Sequence, residues 1–84
     1  MFTVYILQST KRGRFYVGHT ANLANRLQRH NLGLTQSGRT HGPWSVVYQE
    51  SFSSRSEAVR RERQIKKWKS HKYLEEFIRK ATPK

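Results

Sequence analysis

The alternation of apolar and polar residues predicts three short strands. Residues 2–8 alternate and are rich in β-branched and aromatic side chains, as β-strands are. Residues 15–18 resume this pattern after a turn at residues 11–14, so the first two strands should form a hairpin. Alternation returns over residues 44–52, which predicts the third strand. Residues 32–43 are polar, contain Gly and have no period, which is typical of a loop.

Helical spacing appears first after the second strand. Leu23 and Leu27 form an i, i+4 apolar pair, which indicates one turn of an amphipathic helix. Thr20 lies just before this pair and has a side chain that favours an N-cap. We therefore expect a helix that starts after Thr20 and ends near residue 33.

Two further helices are predicted after the third strand. Ser54 and Glu57 have the spacing of a capping box, so a helix should begin there and continue to about residue 68. A shorter helix should follow over residues 71–80. Its core-facing side chains would be Tyr73 or Leu74, with Phe77 and Ile78.

The order of these elements is strand, strand, helix, strand, helix, helix. It predicts an α/β (α+β) fold with a small, mainly antiparallel three-stranded sheet flanked by helices. A chain of 84 residues has room for one modest core, so residues 1–84 should form a single domain.

Glu62 is a carboxylate in a position where an apolar side chain is expected. On a helix, Ala58, Glu62 and Ile65 fall within one narrow stripe, which should face the core. An unpaired carboxylate is costly there. Two explanations remain open: an ion pair with a neighbouring Arg, or a ligand for a hard cation such as Mg²⁺.

The charge balance changes the picture from a generic small domain to a protein with a polyanionic partner. Lys and Arg number 17 against 5 acidic residues, a net charge of +12 that exceeds what solubility requires. Nucleic acid fits best, because cations that neutralise phosphates gain affinity by releasing counterions. A membrane surface is a weaker candidate, since the apolar residues of the basic segment 60–80 are needed for folding.

The compartment is predicted from what the chain lacks. It has no Cys, no apolar run long enough to span a bilayer and no signal-peptide pattern at its N-terminus. We expect a cytoplasmic protein that does not enter a membrane.

Several short motifs carry a resemblance to a known family. Thr3-Val4-Tyr5 and Tyr16-Val17-Gly18 look like its two signature triplets, separated by a hairpin. The spacing of Arg26 and His30 resembles its first-helix motif, and the residues around Glu62 resemble its second-helix motif. The chain thus resembles the GIY-YIG nuclease superfamily over almost its whole length, and within it the small stand-alone bacterial proteins.

The resemblance implies a metal-dependent DNA endonuclease that acts in DNA repair or recombination. It would hydrolyse phosphodiester bonds with a single divalent cation, Mg²⁺ or alternatively Mn²⁺. The resemblance also implies that Tyr5 and Tyr16 lie side by side in the active site. Arg26 would contact the scissile phosphate, His30 would follow one turn later, and Glu62 would bind the metal.

The general base is open among four residues. The proton of the attacking water could pass to Tyr5, Tyr16, His19 or His30, and His19 stands where many relatives have Lys. A histidine titrates near neutrality, whereas a tyrosine would need its pKa lowered by the nearby Arg and metal. The resemblance favours a tyrosine, Tyr5 slightly over Tyr16, with His30 as a positioning group.

The remaining cations are expected to bind nucleic acid. Those assigned to phosphate or strand contacts are Arg39, His41, Arg60, Arg63, Lys66, Lys67 and Lys69. The same basic surface would also suit a non-catalytic module that binds DNA or, less favoured, structured RNA. Binding to a membrane surface or an acidic protein is a remote third hypothesis.

Overall fold

The computed structural model describes residues 1–11, 13–32, 43–68 and 70–81. Its elements confirm the predicted order and fold class. The strands are β1 (Phe2–Ser9), β2 (Phe15–Thr20) and β3 (Trp44–Phe52). The helices are α1 (Leu23–Asn31), α2 (Arg55–Lys66) and α3 (His71–Ala81). Most of the predicted loop at 32–43, and with it Arg39 and His41, lies outside the described residues, as does Lys69.

The three strands form one antiparallel sheet in the order β2-β1-β3. The hairpin register places Tyr5 opposite Gly18 and Leu7 opposite Tyr16. The hairpin turn closes through Gly13, whose φ of 71° is accessible to glycine without strain. The register fixes which side chains of β1 and β2 share a face.

Both faces of the central strand β1 are covered. On one face, Val4 and Ile6 pack with residues of α2 and α3, among them Ile65 and Leu74. On the other face, Tyr5 and Leu7 pack with Trp44 and with the apolar side of α1. A strand that is buried on both faces is apolar at consecutive positions, which explains the unbroken run from Val4 to Leu7.

The start of α1 differs from the prediction. Asn22, not Thr20, is the N-cap, because its side-chain oxygen accepts a hydrogen bond of 3.0 Å from the Asn25 amide. Thr20 is the last residue of β2, and its hydroxyl accepts instead from the Asn22 amide at 3.1 Å. The helix therefore begins at Leu23, two residues later than a Thr20 cap would require.

The second and third helices follow their sequence signals closely. Ser54 caps α2 by accepting a hydrogen bond from the Glu57 amide at 3.3 Å, as the capping spacing predicts. In α3, Leu74 is the buried residue, whereas Tyr73 is 52% exposed and packs its ring on Trp68. No helix in the described ranges is long and apolar enough to cross a membrane.

Candidate active site

Tyr5 and Tyr16 lie on the same face of the hairpin. Their positions are diagonal across the β1–β2 ladder, since Tyr5 faces Gly18 and Tyr16 faces Leu7. The two rings are stacked, with centroids 6.3 Å apart and planes inclined by 28°. Gly18 makes room for this pair, because a Cβ atom there would lie only 2.9 Å from Tyr5 Cζ and 3.2 Å from Tyr16 Cε1.

Helix α1 brings Arg26 and His30 to this face by their i, i+4 spacing. Arg26 is half-buried and lines the cleft beside the tyrosines. His30 is fully buried, and its ring meets Tyr16 edge-on with centroids 4.7 Å apart. His30 does not line the cleft, so it can act on the reaction only through its neighbours.

Glu62 reaches the cleft from the opposite face of the sheet. Its Oε1 atom lies 2.5 Å from His19 Nδ1, and its Oε2 atom lies 2.6 Å from Lys66 Nζ. The Glu62 side chain is 16% exposed, so it is mostly buried but still reaches the solvent. The prediction of an arginine as the ion-pair partner was wrong: the carboxylate pairs with Lys66 and is hydrogen-bonded to His19.

These residues converge on a cleft of about 500 Å³ at the end of β2, one of the two edge strands of the sheet. His19 projects to the α2 side of the hairpin and Tyr16 to the α1 side, as their odd and even positions require. The cleft thus joins both faces. Its walls include Tyr5, Tyr16, Gly18, His19, Arg26, Arg55 and Glu62.

Comparisons with known proteins identify the family of this chain. The sequence model of the GIY-YIG catalytic domain matches residues 1–74. The chain belongs to the GIY-YIG family. The motif resemblance is therefore confirmed, and family membership supports a nuclease that acts on nucleic acid.

Relatives of this GIY-YIG domain include small proteins of similar length. A UPF0213 protein of Staphylococcus haemolyticus is 45% identical over 64 residues, which cover 75% of this chain and 77% of that protein. The solution structure of a UPF0213 protein from Bacillus halodurans matches with a TM-score of 0.58 and 30% identity, over 99% of this chain and 89% of that one. The human structure-specific endonuclease subunit SLX1 is 45% identical over 51 residues, which cover 56% of this chain and 18% of that protein.

The electrostatics of the GIY-YIG cleft separate its two tyrosines. Burial raises the pKa of Tyr5 to about 12, with further increases from Tyr16 and Glu62 that outweigh the opposing effect of Arg26. The Tyr5 hydroxyl is buried and finds no hydrogen-bond partner among the described residues. Because a buried hydroxyl without a partner is costly, this group is suited to donate a hydrogen bond to a bound substrate or water.

His30 is held neutral, whereas Glu62 is held ionised. Burial, together with the positive charge of Arg26, lowers the pKa of His30, so the imidazole is neutral at pH 7. Burial tends to raise the pKa of Glu62, but the hydrogen bonds and positive charges of Lys66 and His19 outweigh it and lower the pKa. Glu62 is therefore an ionised carboxylate, and His19 Nδ1 carries the proton of the bond between them.

The donor set fits a weakly coordinated divalent cation. In the described ranges no three acidic or histidine side chains are grouped as a metal cage. Mg²⁺ needs only one or two carboxylates, because waters and substrate phosphates complete its shell. Glu62 supplies one ionised carboxylate, and the Lys66 ammonium at 2.6 Å shows that Oε2 is open to a cation.

The predicted nucleic-acid contacts divide into separate groups in the structure. Arg60, Arg63 and Lys67 line a second concavity of about 580 Å³ on the outer side of α2. Lys66 instead points to Glu62, and Arg39, His41 and Lys69 fall outside the described part of the chain.

Sequence reasoning missed Arg55. It is the first residue of α2 and lines the cleft, yet nothing in its local pattern distinguishes it from the other arginines. The only sequence signal was its place in the first turn of the helix, directly after the Ser54 cap.

Proposed function

We propose that the protein is a metal-dependent DNA endonuclease that hydrolyses phosphodiester bonds with a single divalent cation, Mg²⁺ or Mn²⁺, bound by Glu62. The observation that carries the proposal is the convergence of Tyr5, Tyr16, Arg26 and Glu62, from four different elements, on one cleft. A phosphate-binding cation, hydroxyl groups and one ionised carboxylate are the parts that this hydrolysis needs.

Arg26 is the group that would bind the scissile phosphate. Its guanidinium offers a planar pair of donors that matches two phosphoryl oxygens, which the single ammonium of a lysine cannot reproduce. The half-buried position of Arg26 strengthens this interaction, because fewer waters compete. Arg26 would therefore hold the phosphate and stabilise charge that develops on it.

Glu62 would hold the cation, and the Lys66 ammonium would leave Oε2 to make room for it. When bound, it supplies Lewis-acid stabilisation of the phosphoryl oxygens and favours an ionised water. Lys66 is 55% exposed, so its side chain is free to move to a neighbouring phosphate. His19 would keep its hydrogen bond to Oε1 and hold the carboxylate in place.

The raised pKa of Tyr5 disfavours it as the general base, although the resemblance gave it a slight preference. At a pKa of about 12, its hydroxyl keeps its proton at neutral pH and would donate a hydrogen bond to a phosphoryl oxygen or to the attacking water. Tyr16 is half-buried at the cleft wall and contacts the neutral ring of His30. We therefore assign proton removal to Tyr16, with His30 as its positioning residue.

The net charge of the chain and its similarity to a named endonuclease subunit both support a nucleic-acid substrate. A net charge of +12 favours a polyanion. DNA rather than RNA is our choice because the family resemblance implies a DNA endonuclease, and one relative is named as a structure-specific endonuclease subunit. A cytoplasmic location remains the expectation from the sequence.

The deciding experiment is a nicking and cutting assay on single-stranded, duplex and branched DNA with Mg²⁺, Mn²⁺ or EDTA. Glu62→Gln should abolish metal-dependent cleavage and leave DNA binding nearly intact, because only the metal ligand's charge is lost. Glu76→Gln, an exposed carboxylate of α3, is the matched control and should cut like the wild type.

Two outcomes would contradict the proposal. Wild-type cleavage rates in Glu62→Gln after stringent purification would exclude the metal-ligand role. Tight DNA binding by the wild type without cleavage of any substrate would favour the alternative, a non-catalytic module that binds DNA or structured RNA.

A further inference from the structure

The cations of α2 and of its C-cap, Lys67, fall into two classes according to their partners. Arg61 pairs with Glu50, with Nε and Oε1 2.9 Å apart, and its guanidinium also lies over the rings of Trp68 and Phe77. Lys66 pairs with Glu62. Both side chains are paired with carboxylates of the protein, and neither lines the outer groove of α2.

The other class lines the outer groove of α2. It consists of Arg55, Arg60, Arg63 and Lys67. All five acidic residues of the chain lie in its described part, and none of them forms an ion pair with these four cations. No acidic residue lines the groove either. The groove is therefore a concave surface of uncompensated positive charge.

Arg55 connects this groove to the candidate active site. It lines both concavities and is the residue that they share. Its guanidinium is positioned over the Phe2 ring, 5.1 Å from the centroid, so it is held at the junction by a cation–π contact. A chain of phosphates leaving the cleft would meet Arg55 first and the remaining three cations afterwards.

The dimensions of α2 suit a nucleic-acid backbone. A helix of 12 residues is about 18 Å long, at about 1.5 Å per residue. At about 3.4 Å of rise per nucleotide along one strand, that length covers about five phosphates. The groove thus has the length and the number of cations to bind the phosphates next to the cut.

We propose that the outer groove of α2 is the path of the DNA backbone on one flank of the scissile phosphate, with Arg55 as the residue that joins this flank to the active site. The inference rests on the proposed nuclease function. It adds the side of the active site on which the flanking DNA backbone is bound. The flank bound by α2 would be held mainly by contacts to phosphates, since the groove's charged side chains are all cations.

The test removes charge from the DNA phosphates and from the groove residues, separately and together. Methylphosphonate linkages, which carry no charge, are placed on the 5′ or the 3′ flank of the mapped cleavage position. Binding of each DNA is measured by fluorescence anisotropy over a range of salt for the wild type and for Arg60→Gln/Arg63→Gln/Lys67→Gln. The control is Lys72→Gln/Arg79→Gln/Lys80→Gln, which removes the same charge from exposed positions of α3 outside both concavities.

The groove variant should reduce the magnitude of the salt slope, log Kd against log salt, by about 3, because each lost phosphate contact removes about 0.9. Methylphosphonates on one flank should weaken wild-type binding and have little further effect on the groove variant. The control should keep the full wild-type response to them. Arg60→Lys/Arg63→Lys, which keeps both charges, should restore most of the slope and so exclude a folding defect.

Arg55 has its own expected result. Arg55→Gln should lose about 1 from the salt slope and become insensitive to a methylphosphonate at the linkage next to the cut on that same flank. Equal losses in the groove variant and the α3 control, or equal sensitivity of all proteins to both flanks, would overturn the proposed path. Failure of the wild type to cut any DNA would instead contradict the nuclease function; methylphosphonates at successive positions would then locate the contacted flank without a cut.

Discussion

The Tyr5 hydroxyl lies 2.7 Å from the position that a Cβ atom on residue 18 would occupy, and Gly18 faces Tyr5 directly across the β1–β2 ladder. A contact this short excludes any side chain at Gly18 unless Tyr5 moves. The glycine is therefore needed for space at the centre of the site, and the position of the Tyr5 hydroxyl depends on it.

Gly18→Ala should destabilise the protein by about 1–3 kcal/mol, the usual cost of forcing extra volume into a packed region. It should also reduce cleavage, because the ring of Tyr5 must leave its place beside Tyr16. Urea denaturation and the cleavage rate measure the two effects. In a Tyr5→Phe background the nearest contact is absent, so the stability cost of Gly18→Ala should be smaller there; an equal cost in both backgrounds would exclude this cause.

Lys66→Gln should leave folding stability almost unchanged and strengthen the response to Mg²⁺. An i, i+4 ion pair with a half-exposed lysine contributes about 0.3–0.5 kcal/mol. Without the competing ammonium, the same Mg²⁺ concentration should raise the melting temperature by more than it does for the wild type. Lys67→Gln, one residue along and without a carboxylate partner in the described structure, should respond like the wild type. A weaker Mg²⁺ response in Lys66→Gln would argue against exchange of the two cations at Glu62.

His30 should make the protein less stable in mild acid. Because its pKa is lowered in the folded state, the unfolded chain binds more protons below the ordinary histidine value of about 6.5. The stability it contributes is complete above that pH and is lost as the pH falls through the folded-state pKa, by at most about 1.4 kcal/mol per pH unit.

The measurement is the free energy of unfolding from pH 7.5 to pH 5 for the wild type and His30→Phe. The wild type should lose more stability than the variant over this range. His71→Gln, which removes an exposed histidine of α3, should follow the wild type. Parallel curves for the wild type and His30→Phe would show that His30 does not titrate differently on folding.

The pH dependence of cleavage should distinguish the two tyrosines. Since Tyr5 has a pKa of about 12, it stays protonated across the accessible range, and Tyr5→Phe should lower the rate without changing the shape of the pH profile. Tyr16→Phe should remove the rise of the rate with pH that a tyrosine base produces. A rise that levels near pH ~6.5 in both variants would instead assign the base to a histidine.

The sequence by itself determined the elements and most of their ends. The capping signal of Ser54 and Glu57, the alternation of β1 and the apolar pair of α1 each act within a few residues, so local pattern was sufficient. Thr20 and Asn22 both have side chains that can cap a helix, and the prediction of Thr20 as the N-cap of α1 was wrong. The end of β2 decided between them, because Thr20 is paired in the sheet opposite Thr3.

The partners of Glu62 required the tertiary structure. The helical stripe indicated that this carboxylate faces the core. It left open whether an arginine side chain or a metal ion would balance its charge. The structure brings His19 to it from a strand 43 residues earlier, together with Lys66 from the next turn of α2. The same holds for Arg55, which reaches the cleft because α2 packs across β1 and β2. Such contacts depend on how elements pack against each other, and this packing is set by the whole core, so no short stretch of sequence encodes it.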